Sequence, residues 1–558
     1  MGIFRAVTLP SAVRLPKSAL LLLLLLYWAV SLHHLTIVPP VYEDEPWQAS
    51  TGYKLATEGV FGSDLFAGFY HMDRRYYGYL PLHPLFLALS FRLFGLGLFQ
   101  ARLETVTLGL LTLALTASLG RRLFQSDAVG ILSILFLLSA RLNGLTRVQP
   151  TGVLLLDIPR LARYDMVVPV FGLAALHTSL SAHRRRSDSR FLLTGLLAGL
   201  AGLGHLYGVF WLPALVILAI WNARGSLPVR PLLLIVVGFT LAWLPYLVYV
   251  ATDLPDFRGQ GRIYSQEGRF SLLSPGWYLA NLLAEPRRYG PGLEGGWHSV
   301  LRPGFWSALA GLPLALIALL HRAVWRGDRA ARLLVVPAVV IATLFALLIH
   351  SKLANYLVTL APLGAVAAAW GAVALWHWLG RVAARRWGRL ALVAVLLAVF
   401  IEGAARIVAL ELAARHTTPY ADYVADVHRF IPSGARVLGL HNYWFGLNDT
   451  DYRAIWVPLR WTDPKLVPQP LPFDAALERV TPEFVLLDPR LQAYFEEIAA
   501  PEAPGHELLT GFEGWMARHD ACLVGRVEDA TYGTMEIYRL RVRDSRPRGG
   551  WCRHGQNW

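Results

Sequence analysis

The stretch VYEDEPWQAS at 41–50 decides how the rest of the chain is interpreted. It follows a long apolar run, 18–38, and opens a loop rich in polar and aromatic residues. The carboxylates of Glu43, Asp44 and Glu45 therefore stand at the exit of a candidate membrane span. Acids at a water boundary are easily kept ionised, so one interpretation is a solvated helix end. The other is a catalytic carboxylate beside the bilayer, where it meets a substrate carried on a lipid.

The composition is that of a polytopic membrane protein. Of the 558 residues, 55% are hydrophobic and 16% charged, which is too apolar for a soluble enzyme of this size. The net charge of +14 does not indicate nucleic-acid binding, because the basic residues form short clusters between apolar runs, as in cytoplasmic loops. The two cysteines, Cys522 and Cys552, allow one disulfide but neither a disulfide framework nor a cysteine zinc site.

Eleven apolar segments have about the length of a bilayer crossing, which is about 20 residues. They are 18–38, 101–120, 128–147, 163–182, 190–206, 207–222, 231–251, 304–321, 332–350, 353–378 and 389–410. Segment 81–97 is interpreted as an interfacial helix on the outer face or a re-entrant segment, because five basic loops then lie in the cytoplasm. We therefore predict an α-helical polytopic membrane protein with about eleven transmembrane helices and juxtamembrane helices on its outer face.

The pattern changes after residue 410. Segments ARVLGLHNYWFG and PEFVLLDPRL have the pattern of short buried strands, and DYVADVHRFI and PFDAALERV have helical spacing. We predict a transmembrane domain over 1–410, a small α/β domain over 411–545 on the non-cytoplasmic side, and a disordered tail over 546–558.

Two further polar elements are expected on the outer side. RLARYDMVV at 160–168 puts Arg163 and Asp165 at the mouth of a span, where they either anchor a helix end or share a pocket with Asp44. HSKLANYLVTLAPLGA at 350–365 places Lys352 and Tyr356 in a tight turn. A cation beside a phenol suits a phosphate at headgroup depth, although such residues also serve as membrane anchors.

Loops 39–100 and 252–303 complete the candidate outer surface. The second is too long for a plain connector, and long loops in compact proteins are usually functional or disordered. Its aromatic residues favour function. The candidate substrate-binding residues of the two loops are Arg74, Arg75, His83, Arg262 and Arg269. His205, between two glycines at a helix end, is a candidate ligand or a packed polar residue.

In this order and spacing, the motifs resemble the GT-C glycosyltransferases, with protein O-mannosyltransferases and aminoarabinose lipid A transferases as the nearest relatives. The resemblance covers roughly residues 18–380. It is carried by the acid pair after the first span, GLGLFQARLETVTLGLLTLALTASLGRRLF, ARYD, and SKLANYL followed by AP. Two departures are the lack of a lysine in YGYLPLHPLF, and His205 where a lysine is common in the fifth span.

The resemblance implies a polyprenyl- or dolichyl-phosphate-linked sugar donor and a reaction on the non-cytoplasmic face, here expected in a bacterial inner membrane. Asp44 matches the first-loop acid that acts on the acceptor, and Asp165 the second-loop acid. Lys352 and Tyr356 match the region near the donor phosphate, to which we also assign His205 and Arg163. The acceptor is a glycan, a lipid or a protein.

A carboxylate that takes the proton of an acceptor hydroxyl, with cations holding the leaving phosphate, is sufficient for an inverting displacement. This chemistry neither requires nor excludes a divalent metal, and no cofactor is expected. The base is Asp44 or Glu45, with Asp44 favoured. The competing classes are a transporter or lipid flippase, and a scaffold whose outer domain binds a partner. Transport pathways tend to place ionisable residues at the midplane, where this chain has few.

Overall fold

The computed structural model describes residues 17–142, 146, 148–223, 227–266, 271–289, 302–381 and 385–541. Arg269, Cys552 and the predicted tail at 546–558 lie outside the described residues.

Helices make up most of the described chain as far as residue 415. The α-helices are α1 Lys17–Leu32, α2 Asp44–Glu58, α3 Leu82–Phe94, α4 Leu98–Phe124, α5 Asp127–Ser139, α6 Leu154–Asp157, α7 Val167–Arg185, α8 Asp188–Gly204, α9 Trp211–Asn222, α10 Val229–Ala251, α11 Leu254–Gln266, α12 Pro275–Ala284, α13 Pro303–Trp306, α14 Leu312–Trp325, α15 Arg329–Leu348, α16 Ala361–Leu379 and α17 Arg385–Arg415. Short 3₁₀ segments at Tyr164–Met166, Leu206–Phe210, Glu285–Arg288 and Ala354–Thr359 carry several of the candidate site residues.

Seven helical segments within the described ranges are long and apolar enough to cross a membrane, and four shorter apolar helices accompany them. The prediction of a polytopic helical membrane protein is confirmed. The count of eleven spans and the face on which each loop lies stay predictions.

Two predicted spans contain shorter helices than their apolar runs suggest. Helix α1 ends at Leu32 rather than 38, because two histidines and then two prolines follow it. Helix α5 ends at Ser139 rather than 147, and Arg141 then pairs with Val153 in an antiparallel bridge. In both places, polar side chains or prolines stop the helix before the hydropathy falls.

Helix α3 occupies the segment that was predicted to lie on the outer face. Its 13 residues span about 20 Å at a rise of 1.5 Å per residue, less than a hydrocarbon core of about 30 Å. It packs closely on α2, since a Cβ on Gly52 would lie 2.7 Å from the Cβ of Leu87. Its length agrees with a helix that does not cross, which stays a prediction.

A small mixed sheet follows α17. Its elements are α18 Tyr420–His428, β1 Arg436–Gly439, β2 Asp451–Ala454, α19 Trp456–Trp461, α20 Phe473–Val480, β3 Phe484–Leu487, α21 Pro489–Glu497, α22 His506–Arg518, β4 Cys522–Asp529 and β5 Gly533–Arg539. The strand order is β2-β1-β3-β5-β4. Strand β1 pairs in parallel with β2 and β3, whereas β5 pairs antiparallel with β3 and β4. The prediction of a small C-terminal α/β domain is confirmed; its limits at 411 and 545 stay predictions.

One hydrophobic core joins the loop after α1 to the C-terminal sheet. Phe66 and Phe69 from the loop are buried together with Tyr423, Val437 and Phe484 from the sheet domain. Because they share a core, the loop and the C-terminal domain lie on the same side of the layer formed by the long apolar helices.

Candidate active site

The carboxylate of Asp44 stands at the start of α2, where the chain leaves the turn after α1. It accepts a hydrogen bond from the hydroxyl of Tyr79 at 3.2 Å and lies 3.1 Å from Nη1 of Arg163. Its side chain remains 23% exposed. Asp44 is thus held in place but still accessible to a small group.

Arg163 joins this acid to a second one. Its Nε lies 2.9 Å from Oδ2 of Asp165, which is fully buried and accepts a hydrogen bond from the hydroxyl of Tyr207 at 3.3 Å. The guanidinium also lies over the ring of Tyr42 at 5.3 Å. Two carboxylates from separate loops therefore share one buried cation, and the group carries a formal charge of −1.

Glu45 is adjacent to Asp44 in sequence but has a different environment. Its two oxygens accept from Nε and Nη2 of Arg102, both at 2.8 Å, and from the backbone N–H groups of Tyr42 and Ala162 at 2.8 and 2.9 Å. Glu45 and Arg102 are fully buried. Four donors saturate a carboxylate, so Glu45 ties the start of α2 to α4 and to the backbone beside Arg163.

Glu43, the third acid of the stretch, points toward the C-terminal domain. Its side chain is 50% exposed and lies 3.9 Å from Nη1 of Arg490. Partial burial and the neighbouring Asp44 carboxylate raise the pKa of Glu43, and the cation of Arg490 opposes this effect.

Aromatic rings continue the site from Asp165 toward the turn at 351–356. His205 accepts a hydrogen bond on Nδ1 from the backbone of Tyr207 at 3.3 Å, and its ring stacks on Tyr164 at 4.5 Å. The ring of Tyr356 lies 5.0 Å from that of Tyr207 and 5.7 Å from that of His205. His205 and Tyr356 therefore belong to the same cluster as Asp165.

A cationic group adjoins the far side of Tyr356. Nζ of Lys352 and Nε of Arg288 each lie 2.8 Å from a carboxylate oxygen of Glu285, and the guanidinium of Arg288 lies 6.0 Å from the ring centre of Tyr356. Burial lowers the pKa of Lys352, and the contact with Glu285 opposes this change. Two cations on one carboxylate leave a formal charge of +1 at this end of the site.

The architecture has counterparts among solved structures. The crystal structure of ArnT from Cupriavidus metallidurans bound to undecaprenyl phosphate is similar with a TM-score of 0.60 and 17% sequence identity, over 96% of this chain and 100% of that one. The oligosaccharyltransferase AglB from Archaeoglobus fulgidus, in complex with an inhibitory peptide and a dolichol-phosphate, is similar with a TM-score of 0.53 and 13% identity, over 95% of this chain and 75% of that one. Both are GT-C glycosyltransferases. The chain has the GT-C fold.

The sequence agrees with this likeness. A family model described as dolichyl-phosphate-mannose-protein mannosyltransferase matches residues 80–249, which include Arg163 and Asp165. No curated protein matches the chain in sequence. The predicted resemblance to the GT-C superfamily is confirmed.

Several residues predicted for substrate binding have their described contacts elsewhere in this GT-C structure. Arg74 is exposed beside Asp73, and Arg75 donates to the hydroxyl of Thr252 at 2.6 Å. His83 is buried, with Nδ1 3.4 Å from a carboxylate oxygen of Glu104. These contacts do not include the acidic pair, so the expectation that Arg74 and Arg75 line a substrate loop stays a prediction. Burial and the charge of Arg163 lower the pKa of His83, which therefore lies within electrostatic reach of the arginine that joins the acidic pair. The apolar neighbours of His83 gave no sequence signal of its burial against α4.

Arg262 reaches the C-terminal domain instead of the acidic pair. Its Nη1 lies 3.5 Å from the hydroxyl of Tyr70 and 3.4 Å from the carbonyl oxygen of Leu466. A cavity of about 420 Å³ lies nearby, lined by residues that include Phe69 and Trp461. Asp44, Arg163 and Asp165 are not among its lining residues within the described chain. Arg269 lies outside the described residues.

Other residues of this candidate site were not singled out from the sequence. Tyr207 follows His205 by two positions, and Arg288 and Glu285 lie in the long loop that was identified as functional. The sequence could have pointed to Arg102, because a charge near the start of an apolar membrane helix needs a partner.

Proposed function

We propose that this GT-C protein is a glycosyltransferase that moves a sugar from a polyprenyl-phosphate carrier to an acceptor hydroxyl. The observation that carries the proposal is the pairing of Asp44 and Asp165 on one buried arginine. Through Tyr207 and Tyr356 this pair adjoins a second group in which Lys352 and Arg288 supply positive charge. One end of the site thus offers a carboxylate and the other offers cations.

Asp44 is the proposed general base. An acceptor hydroxyl is a weak nucleophile at neutral pH, and a positioned carboxylate can accept its proton while the new bond forms. Of the two acids left open by the sequence, Asp44 has partial exposure, whereas the oxygens of Glu45 are already occupied by four donors. We therefore assign the base to Asp44 and a structural role to Glu45.

Arg163 and Asp165 are proposed as positioning residues. Arg163 contacts both acids and packs against Tyr42, so its planar guanidinium fixes the direction of the Asp44 carboxylate. Asp165 is buried and accepts a hydrogen bond from the hydroxyl of Tyr207. It contacts Nε of Arg163, whereas Asp44 contacts Nη1. Neither requires contact with the reacting atoms.

Lys352, Arg288 and Tyr356 are proposed to hold the leaving phosphate. A lipid phosphate is a good leaving group, so the protein mainly needs to stabilise its charge. Glu285 shares its carboxylate between the two cations. An incoming phosphate would replace or join that carboxylate, and the formal charge of +1 favours its arrival.

A base at one end and a leaving-group site at the other suit a single displacement with inversion at the sugar carbon. The proton goes to Asp44, the new glycosidic bond forms to the acceptor oxygen, and the phosphate leaves with the bonding electrons. No step calls for a metal or a second nucleophile. We place the reaction on the non-cytoplasmic face of a bacterial inner membrane, with a glycan, lipid or protein acceptor.

The relatives support the donor class. ArnT was solved with undecaprenyl phosphate and AglB with a dolichol-phosphate, and both ligands are polyprenyl-type phosphates. The carrier is the part of the substrate that the two have in common.

The decisive experiment compares envelope lipids and glycans by mass spectrometry in cells with and without the protein. Expressing the Asp44→Asn variant should reproduce the loss of the modified product, and Glu43→Gln, at the neighbouring position, should restore it. The acceptor could instead carry no added sugar in either strain, while the protein moves intact lipid-linked sugar from one membrane face to the other. In that case the protein is a flippase and the proposal is wrong.

A further inference from the structure

We propose that His33, His34 and Glu411 form a Zn²⁺ site that fastens the end of α1 to the end of α17. The three residues lie apart from the acidic pair of the candidate active site. Each offers one ligand atom, and these atoms all lie within 4.8 Å of one another. Two histidines and one carboxylate are a common ligand set for zinc with an open fourth position.

The distances in this group fit a tetrahedral ion. Nε2 of His33 and Nε2 of His34 lie 3.3 and 3.1 Å from the same oxygen, Oε2 of Glu411. Ligand atoms at about 2.0–2.1 Å from a tetrahedral Zn²⁺ are about 3.3 Å from one another. Two edges of the required tetrahedron are therefore present, and all three ligand atoms lie within 4.8 Å of one another.

The backbone is bent so that consecutive histidines face one acceptor. His34 has φ +52°, in the left-handed region that a non-glycine residue rarely adopts. Neighbouring side chains normally point in different directions, and this conformation brings both rings to Glu411.

The turn that carries the histidines is held rigidly. Arg160 is buried and donates to the carbonyl oxygens of Ser31, His33 and Val38 at 2.7–2.8 Å. Val38 is itself buried against α17 through Leu410 and Ala414. The two sides of the site are thus held together before any ion binds, which lowers the entropic cost of coordination.

The Glu411 carboxylate also accepts a hydrogen bond from a residue outside the ligand set, as zinc-binding carboxylates usually do. While Oε2 faces the histidines, Oε1 accepts a hydrogen bond from Nε of Arg415 at 3.1 Å. Such a contact orients a carboxylate as a monodentate ligand. His33 is 59% exposed, so solvent can supply the fourth ligand.

Without an ion, the same contacts would be hydrogen bonds from two histidines to one oxygen. The zinc site and the hydrogen-bonded cluster differ in their response to added metal.

The test uses the full-length protein, purified in detergent without a polyhistidine tag, stripped by a chelator and dialysed against Zn²⁺. Metal is then counted by mass spectrometry, and Co²⁺ replaces Zn²⁺ to report tetrahedral geometry by its visible absorption.

We expect about one Zn²⁺ per chain and a rise in the unfolding midpoint on adding it. Glu411→Gln retains the volume and a hydrogen-bond acceptor, and it should lose both effects; so should His33→Ala, at the exposed position. His428→Ala is the matched control, because His428 lies 3.0 Å from Asp449 in a pair with a single histidine. Stoichiometry unchanged by Glu411→Gln or His33→Ala, or no Zn²⁺ bound by the parent protein, would overturn the proposal.

Discussion

Nη1 of Arg163 lies 3.1 Å from the carboxylate of Asp44, while Nε of the same guanidinium lies 2.9 Å from Asp165. Arg163 therefore joins the first and second acidic loops by contacting a carboxylate from each. Its burial matters, because a charge–charge contact is much stronger away from water than at an exposed surface. We therefore expect that removing either acid would leave Arg163 less firmly held against the other.

Replacing Asp44 by Asn should abolish transfer while leaving insertion and donor binding near normal. Asn keeps the volume and one acceptor oxygen but cannot accept the proton, so the rate should fall by about 10²–10⁴. The measurement is initial rate with purified protein and a lipid-linked sugar. Glu43→Gln changes an acid that is half exposed and should cost little. Transfer at the parental rate by Asp44→Asn would make Asp44 a helix-end residue.

Arg163→Lys should lower kcat by about tenfold or more, with a smaller effect on the donor constant. Lysine keeps the charge but lacks the planar fork that reaches two carboxylates at once. Tyr207→Phe removes one hydrogen bond to Asp165 and should be milder. Steady-state kinetics on folded material would separate the two variants. Parental kcat in Arg163→Lys would show that the bridge between the acids is dispensable.

Lys352→Ala should raise the apparent donor constant more than it lowers the rate of the bound enzyme. A charge-assisted contact to phosphate contributes about 1.5–3 kcal/mol, which corresponds to about a tenfold change or more. Tyr356→Phe should act in the same direction and less strongly, because it removes a neutral group. Lys54→Ala is a suitable control, since Lys54 pairs with Asp64 at 2.5 Å away from the site. An unchanged constant in Lys352→Ala would leave Arg288 as the phosphate contact.

Glu45→Gln should reduce stability rather than chemistry. Breaking a buried ion pair from one side leaves the other charge without a partner and costs about 3–5 kcal/mol. The loss should appear as a lower unfolding midpoint and yield, with near-parental activity per folded molecule. A stable but inactive Glu45→Gln protein would move the catalytic role to Glu45.

Cysteine labelling should decide which side of the membrane each loop occupies. The predicted cytoplasmic loop at 121–126 offers a poor reporter at Ser126, because that side chain is buried and accepts from the backbone of Val129. Ser189, exposed at the start of α8, is a better one. Ser189→Cys should react only after permeabilisation, whereas Gln469→Cys in the C-terminal domain should react from outside. The reverse pattern would invert the predicted topology.

The sequence by itself determined the class of the molecule. Apolar runs of span length, basic clusters between them and a compositional change near residue 410 were sufficient for a helical membrane protein with a C-terminal α/β domain. These features depend on local hydropathy and periodicity, which a sequence shows directly. The acids and the ARYD element were also visible, because short charged stretches stand out beside long apolar runs.

Only the tertiary structure decided what separates Asp44 from Glu45. The two are consecutive acids in the first turn of one helix, so no local pattern distinguishes them. Their partners come from distant parts of the chain: Arg163 for Asp44, and Arg102 with the N–H of Ala162 for Glu45. Neighbours on a helix point about a quarter turn apart, so Asp44 stays partly exposed while Glu45 faces the core. Which side becomes core depends on how α2 packs on α3 and on where Arg102 of α4 meets Glu45, and both depend on the whole fold.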